Sequence, residues 1–213
     1  MRPDDARWLV LDSETTGLDP TEHRLVELAA VHMRRGAVTD ARAMLLDPQR
    51  PIPAEASAVH GISDAMVAGR STLADVATQV CGHVGRVDVL VGYNVPFDLA
   101  FLDAHCPGFA QARAGLPILD PLVIVRTDAV GRFWKGAGRH RLGNVADRLG
   151  LAAPGSLHRA RRDATLAGAV LWRLLGHLPA DLAEASEWTA RIRAQQEADF
   201  QEWLARQPAK EFA

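Results

Sequence analysis

Two carboxylates that lie two positions apart end the first apolar stretch of the chain. The stretch reads Trp8-Leu9-Val10-Leu11-Asp12-Ser13-Glu14. Side chains alternate between the two faces of a β-strand, so a strand would point Asp12 and Glu14 from the same face, where two anions repel each other. Because no Lys or Arg within this stretch can neutralise them, the pattern favours a divalent cation as their partner. Alternatively, the strand ends at Leu11 and both acids lie in a solvated turn.

Two later segments each supply a further acid. In Val89-Leu90-Val91-Gly92-Tyr93-Asn94-Val95-Pro96-Phe97-Asp98, Pro96 suits the first position of a helix, which places Asp98 in the first turn, near the end of the preceding strand. In His158-Arg159-Ala160-Arg161-Arg162-Asp163-Ala164, Asp163 opens a helix whose apolar residues recur at helical spacing. Alone, Asp163 is as well explained as a surface residue and His158 as a helix cap. Together, four acids and one histidine are hard to explain as coincidence, and they support the metal site predicted from Asp12 and Glu14.

These three segments resemble the exonuclease motifs of the DEDD superfamily in its histidine-containing branch, DEDDh, which includes the proofreading epsilon subunit of the bacterial replicative polymerase. The matching motifs are Asp12 to Leu18, Gly92 to Asp98, and His158 followed five residues later by Asp163. Further similar stretches are His60-Gly61-Ile62 and His140-Arg141-Leu142, and the likeness spans roughly residues 7 to 176. Ser13 stands where threonine is more usual in this family, and we expect its side chain to point away from the metals.

The resemblance implies a phosphodiesterase that uses two divalent ions. The residues that would hold two Mg²⁺ or Mn²⁺ ions are Asp12, Glu14, Asp98 and Asp163, and all-oxygen ligands prefer these ions. Two ions about 3.5 to 4 Å apart can activate the attacking water and stabilise the leaving 3′ oxygen. By the same resemblance, His158 accepts the proton of the water, and a histidine suits that role because its ordinary pKa lies near neutrality.

The resemblance also implies contacts to the 3′ end of a nucleic-acid strand. The backbone from Thr15 to Leu18 would meet the terminal 3′ hydroxyl, with Leu18 against the last base and Gly17 permitting a close approach. Asn94 would lie by the scissile phosphate. Phe97 either stacks on a base or packs in the core, and His60 has a similar ambiguity.

Length and composition predict one medium-sized enzyme. The chain has 213 residues, enough to bury a full core, and 48% of them are hydrophobic. No apolar run approaches the length of a membrane span and no signal pattern precedes the first strand, so we expect a cytoplasmic protein. Cys81 and Cys106 lack the spacing of a zinc site, and we expect both to be reduced.

The formal net charge of −2 hides an uneven distribution. From Arg126 to Arg162 there are nine Lys or Arg residues against two acids. Such a segment is either an ordinary solvated face or, beside a cluster of carboxylates, a surface that holds phosphates, and we favour the second interpretation. The arginines expected to follow a phosphate backbone are Arg139, Arg141, Arg159 and Arg162.

The order of the elements predicts an α/β protein. Strands are expected at 7–13, 25–33, 38–46, 87–92 and 117–120, and helices at 72–84, 96–105, 141–149 and 159–176. The proline-rich stretch before His60 is expected to be irregular. Three antiparallel strands followed by alternating helices and parallel strands match the ribonuclease H-like fold that the resemblance implies, with a mixed five-stranded sheet flanked by helices.

The chain is expected to divide into an exonuclease domain at 1–178 and a C-terminal helical extension at 179–213. An apolar stripe marks the extension: Leu182, Ala185, Trp188 and Ile192. This stripe either packs on the exonuclease domain or docks a DNA polymerase or a second copy of the chain.

The sequence therefore predicts a metal-dependent 3′-5′ exonuclease that trims single-stranded ends, DNA in preference to RNA, and releases 5′-monophosphates, in proofreading or repair. The nearest alternative is a 3′-5′ exoribonuclease, because this fold serves both substrates. A more distant alternative is a binding subunit that delivers its C-terminal helices to a polymerase. A missing acid or histidine would favour that alternative, and none is missing.

Overall fold

One mixed sheet forms the centre of the computed structural model, which describes residues 1–151 and 159–207. The strands are β1 (Arg7–Thr15), β2 (Leu25–Arg34), β3 (Ala37–Leu45), β4 (Val89–Val91) and β5 (Ile118–Leu119). Their order across the sheet is β3-β2-β1-β4-β5, with β1 antiparallel to β2 and parallel to β4. The predicted mixed sheet of five strands is therefore confirmed.

Helices flank this sheet. In chain order they are α1 (Ala54–His60), α2 (Asp64–Val67), α3 (Ala77–Val84), α4 (Pro96–His105), α5 (Phe109–Ala112), α6 (Pro121–Val125), α7 (Leu142–Arg148), α8 (Ala160–Leu174) and α9 (Leu182–Ala205). None of those helices combines the length and the apolar character that crossing a membrane requires, within the described ranges. Cys81 and Cys106 are both free, as the sequence predicted.

The strand β1 is buried on both faces because each face packs against helices. On one face, Val10 belongs to a hydrophobic cluster that includes residues of α8 and the first turn of α9. On the other face, Leu9 packs in a second cluster with Phe101 of α4. Residues two positions apart share a face, so Asp12 and Glu14 point from the Val10 side, toward α8.

The helix α8 lies close to the sheet at Gly168. A Cβ atom at this position would come 2.2 Å from Met33 Sδ and 3.2 Å from Val10 Cγ2. The glycine thus lets the helix backbone approach β1 and β2, and a larger residue would have to displace Met33 or move α8. Because Asp163 lies near the start of α8, this close packing contributes to its position.

The proline-rich stretch after β3 contains helices that the sequence analysis did not predict. The helices α1 and α2 have only seven and four residues, too few to display a helical repeat of apolar positions. They are held by Ile62 and Val67, which pack with Val26 of β2. The helix expected at 72–84 begins only at Ala77, because Thr72 and Asp75 form a hydrogen-bonded turn before it.

The helix α9 packs on the core through its first half. Leu182 and Ala185 are buried in the same cluster as β1, and Ser186 Oγ accepts a hydrogen bond of 2.9 Å from the Ile118 N–H of β5. In its second half, Phe200 and Trp203 are 50% and 53% exposed. The start of the extension is therefore part of the folded core, while its end presents aromatic side chains to solvent.

Candidate active site

The two acids of β1 lie inside the strand. The strand continues to Thr15, and Asp12 and Glu14 are paired in register with Ala29 and Glu27 of β2. Both acids are partly buried. The alternative in which the strand ends at Leu11 and the acids lie in a solvated turn is therefore wrong.

A third acid reaches the same place from α8. Asp163 lies in the first turn of that helix. Asp12, Glu14 and Asp163 each offer a carboxylate oxygen, and these three oxygens lie within 4.8 Å of one another. An all-oxygen set of this kind suits hard cations such as Mg²⁺ or Mn²⁺ better than it suits zinc.

The fourth predicted acid, Asp98, is placed next to this group without being part of the three-oxygen set. It lies in the first turn of α4, after Pro96, and is 4% exposed. Ser13 Oγ donates a hydrogen bond of 2.6 Å to Asp98 Oδ1. Ser13 lies between Asp12 and Glu14 in β1 and points from the opposite face, as expected, where its hydroxyl contacts a predicted ligand on α4.

These carboxyl groups have too little positive charge around them to ionise easily. Burial raises the pKa of Asp12 well above its ordinary value, and Asp98, Asp163 and Glu14 raise it further. Burial, and then Asp163, raise the pKa of Glu14 to about 7. Burial also raises the pKa of Asp98 to about 7, although the hydrogen bond from Ser13 lowers it. A divalent cation would offset this repulsion, so the residues present fit the metal that the motifs imply.

A buried glutamate that the sequence analysis did not single out anchors the start of α8. Glu27 is 3% exposed and accepts hydrogen bonds from Arg159 Nη2 at 2.9 Å and from the Ala160 N–H at 3.0 Å. It thereby ties the first turn of α8, which carries Asp163, to the strand beside Glu14. An acid in the middle of the apolar run of β2 was the available signal.

A second buried acid that the analysis missed anchors the turn before Asp98. Asp120 is 1% exposed and accepts the N–H groups of Asn94 and Val95 at 3.1 and 3.0 Å. It also forms an ion pair with Arg193 of α9. Burial raises the pKa of Asp120, while Arg193 and the backbone donors lower it. Its signal in the sequence was weak, since an Asp before Pro121 is common as a helix cap.

The residues predicted to meet the 3′ end lie around the ends of β1 and β4. Leu18 is 82% exposed, and Thr15 Oγ1 donates a hydrogen bond of 2.6 Å to the Gly17 carbonyl. The face of Gly17 is covered by the ring of His23, which a Cβ atom would approach to 2.1 Å. Asn94 is exposed in a left-handed turn with φ of 67°. Their contacts with a substrate stay predictions.

The two ambiguous residues have clear structural contacts. Phe97 is partly buried, and its ring lies 5.0 Å from that of Phe101 in the core. His60 is 5% exposed, and its Nδ1 accepts the Ile62 N–H at 3.0 Å, just after the end of α1. Both positions are explained by packing and capping, and their predicted contacts with substrate remain untested. The predicted base His158 lies outside the described residues.

The basic segment divides between two surfaces. Arg159 forms an ion pair with Glu27, and both residues line one cleft together with Arg162. Arg139 instead lines a cleft together with Arg126. The expected phosphate-binding arginines therefore line two different clefts, and their contact with phosphate stays a prediction.

Comparison with known proteins agrees with this arrangement. The sequence profile of the RNase_T family, described as exonuclease, matches residues 9–171. The epsilon subunit of DNA polymerase III from Aquifex aeolicus is 28% identical over 174 residues, which is 82% of this chain and 83% of that protein. The PolC-type DNA polymerase III of Halalkalibacterium halodurans is 31% identical over 172 residues, 80% of this chain, but the match spans only 11% of that polymerase.

Solved structures share the fold. Exonuclease X in complex with 5′ overhanging duplex DNA superposes with a TM-score of 0.66 at 25% identity, over 85% of this chain and 99% of that one. Exonuclease I of E. coli with single-stranded DNA has a TM-score of 0.65 at 18% identity, over 81% of this chain and 41% of that one, a likeness of fold alone. The predicted ribonuclease H-like fold, with helices at its C-terminal end, is therefore confirmed. Because the family profile matches residues 9–171, the chain belongs to the exonuclease family, and the prediction of a 3′-5′ exonuclease is confirmed.

Proposed function

We propose that this protein is a metal-dependent 3′-5′ exonuclease that removes nucleotides from single-stranded DNA ends and releases 5′-monophosphates. The observation that carries the proposal is the group of three carboxylate oxygens within 4.8 Å at the junction of β1 and α8, in a chain of the exonuclease family. Repelling acids at one point on a buried strand are costly unless a cation neutralises them.

Four residues would hold two Mg²⁺ or Mn²⁺ ions: Asp12, Glu14, Asp98 and Asp163. Bound ions would supply a nucleophilic water at neutral pH and neutralise charge on the phosphodiester. Within the protein, Ser13 holds Asp98 through its hydroxyl, and Glu27 fixes the start of α8. His158 would take the proton from the attacking water, on the strength of its place in the motif five residues before Asp163.

The 3′ end of the bound nucleic acid would contact Leu18, Asn94 and the backbone at Gly17. Leu18 supports this because an 82% exposed leucine beside a polar site is available to pack against a terminal base. His60 and Phe97 would contribute at most through the loops that they hold in place. DNA is favoured because exonuclease X was solved with overhanging duplex DNA and exonuclease I, which shares the fold, with single-stranded DNA.

A role in proofreading or repair follows from the relatives, which are named as a subunit or a type of DNA polymerase III. The partner would be a DNA polymerase or a second copy of the chain, held by the exposed end of α9 in the extension proposed at 179–213. The cytoplasm stays the proposed location. A 3′-5′ exoribonuclease is the second candidate, since a 3′-exonuclease that recognises a histone mRNA stem-loop has the same fold, with a TM-score of 0.63.

Side-by-side digestion distinguishes these candidates. The substrates are single-stranded DNA, double-stranded DNA and RNA of one sequence, labelled at the 5′ end and incubated with Mg²⁺, Mn²⁺ or EDTA. We expect a ladder that shortens from the 3′ end of single-stranded DNA, release of 5′-monophosphates and no reaction in EDTA. Faster shortening of RNA would establish the exoribonuclease instead, and the absence of any metal-dependent cleavage would leave only the binding subunit.

A further inference from the structure

A cleft of about 580 Å³ lies between the segment after α6 and the second half of α9. One wall carries Arg126, Arg132 and Arg139, and the other carries Arg193 and Phe200. The cleft is distinct from the group of acids at β1 and α8, none of which lines it. It therefore forms a second feature whose chemistry the proposed reaction does not use.

Two of the four arginines of the cleft have no ion-pair partner among the described residues, because Arg132 is paired with Asp128 and Arg193 with Asp120. Two acids of α9 also line it, Glu197 and Asp199, and each accepts a hydrogen bond from a glutamine of the same helix. Arg193 is engaged by the buried Asp120. Arg126 and Arg139 are exposed, and neither forms an ion pair with a residue in the described ranges. An anionic ligand is the natural partner for these two guanidinium groups.

An aromatic platform accompanies the arginines. Phe200 lines the cleft and is 50% exposed, and its ring stacks on Trp203 with 5.9 Å between the centroids and 17° between the planes. Aromatic rings beside cations are the combination with which proteins hold single-stranded nucleic acid, because rings stack on bases of any sequence while cations meet phosphates. A small inorganic anion or an acidic peptide has no base that could stack on the Phe200 ring.

Both walls of the cleft are joined to the turn that precedes Asp98. On one side, Tyr93 Oη donates a hydrogen bond of 2.6 Å to the carbonyl of His140, a residue that also lines the cleft. On the other, Arg193 binds Asp120, which in turn accepts the N–H groups of Asn94 and Val95. The cleft is therefore structurally continuous with the loop that carries the predicted contact to the scissile phosphate.

We propose that this cleft binds the phosphate backbone of the single strand on the 5′ side of the nucleotide being removed, with Phe200 as a stacking surface. The proposal rests on the proposed exonuclease function, since it assigns a path to the substrate of that reaction. Oligonucleotides long enough to reach the cleft bind more tightly than short ones, and the added affinity depends on salt.

The test uses the double variant Arg126→Gln/Arg139→Gln and oligothymidylates of 4 and 15 nucleotides. Binding is followed by fluorescence anisotropy in EDTA, which prevents cleavage, at several salt concentrations. Removing two phosphate contacts should lower the slope of log K against log salt by about 1.4 for the 15-mer and weaken its binding on the order of 10-fold at low salt. Phe200→Ala should weaken the 15-mer with little change in slope, and Phe200→Tyr should restore it.

The matched control is Arg34→Gln/Arg86→Gln, which removes the same charge at the other end of the sheet. Arg34 pairs in register with Arg7, at the start of β1, five residues and roughly 17 Å along the strand from Asp12. An unchanged salt slope in the cleft variant, or an equal change in the control, would overturn the proposal. Failure of the exonuclease function shows separately, because the parent protein would then cleave neither the oligothymidylates nor thymidine 5′-(4-nitrophenyl phosphate), which is too small to reach the cleft.

Discussion

Two sets of acids in and around the candidate active site differ in the groups that surround their carboxylates. Glu27 and Asp120 each face an arginine and backbone N–H groups that donate to their oxygens. Asp12 and Glu14 face other carboxylates, which raise the pKa of each beyond what burial alone does. We refer to Glu27 and Asp120 as the compensated acids and to Asp12 and Glu14 as the uncompensated acids.

The difference teaches that burial of an acid does not by itself indicate chemistry. A compensated acid is a structural support, since its carboxylate is paired with an arginine and with backbone N–H groups that it holds at a helix start or a turn. An uncompensated group keeps a repulsion that a proton or a bound cation can remove. Asp98 lies between the two sets, because the Ser13 hydroxyl and backbone N–H groups lower its pKa but no arginine faces it within the described residues, and that pKa is still about 7.

The largest expected effect comes from neutralising one acid of the proposed metal site. Asp12→Asn or Asp163→Asn should lower the exonuclease rate by about 10³-fold or more, because ligands to the catalytic ions supply several kcal/mol to the transition state. Their stability to urea should equal or exceed that of the parent without metal, since one repelling charge is gone. Loss of soluble, folded protein in both variants would place these acids among the structural supports.

The next test concerns His158 of the third motif, which is either a general base beside the acids or a further metal ligand. As a general base, His158 contributes to the rate and does not hold metal, so His158→Ala should lower the rate on the order of 10²–10⁴-fold while Mn²⁺ affinity stays close to that of the parent. The rate of the parent should rise with pH through the pKa of the histidine, and the variant should lose that limb. Calorimetry with Mn²⁺ and a pH series on one oligonucleotide measure the two halves.

If Mn²⁺ binding collapsed together with the rate, His158 would be a ligand or a support, and the scheme with a histidine base would have to be given up.

The compensated acids should show the opposite pattern, with stability as the main loss. Asp120→Ala strips three backbone N–H groups and Arg193 of their acceptor, and should lower the free energy of unfolding by about 3 kcal/mol. Glu27→Ala should cost about 2 kcal/mol, since Arg159 is 48% exposed and can return to water. Urea titrations of both variants beside Asp12→Asn measure the contrast. A variant of either compensated acid that kept full stability would remove the basis for separating the sets.

The three acids grouped at β1 and α8 could be predicted from sequence because their positions follow from local geometry. The alternation of β1 puts Asp12 and Glu14 on one face, and the helical repeat of α8 puts Asp163 at its start. Both inferences need only neighbouring residues. The five-stranded sheet was accessible for the same reason, since β1, β2 and β4 contain apolar runs and turn residues separate the strands.

The compensated acids could not be predicted, because their partners are distant in the chain. Arg159 is 132 residues from Glu27, and Arg193 is 73 residues from Asp120. No periodicity links such pairs, and only the packed fold brings them together. The same limit explains why the basic segment was taken as one surface, since nothing near Arg159 in sequence shows that Glu27 engages it.

The last prediction concerns pH and metal, where the expected effects are smaller. In the folded protein the pKa of Glu14 and that of Asp98 are about 7, above their ordinary values near 4. Between these values the folded state binds more protons than the unfolded state, so the stability from these groups is present at low pH and is lost as pH rises through about 7. Metal-free protein should therefore melt at a lower temperature at pH 8 than at pH 5.

Mg²⁺ should reverse this slope, because it binds the deprotonated carboxylates of the folded state. At 100 times its Kd it stabilises by about 2.7 kcal/mol, and its effect should be larger at pH 8 than at pH 5. Glu14→Gln should reduce both the pH slope and the response to Mg²⁺, while Glu55→Gln, at an exposed position in α1, should change neither. Melting curves at pH 5 and pH 8, each with Mg²⁺ and with EDTA, measure the pH slope and the response to Mg²⁺ for the parent and both variants. A metal-free protein whose stability does not fall between pH 5 and pH 8 would mean that Asp12, Glu14 and Asp98 are compensated after all, and that burial and mutual repulsion do not distinguish them from Glu27 and Asp120.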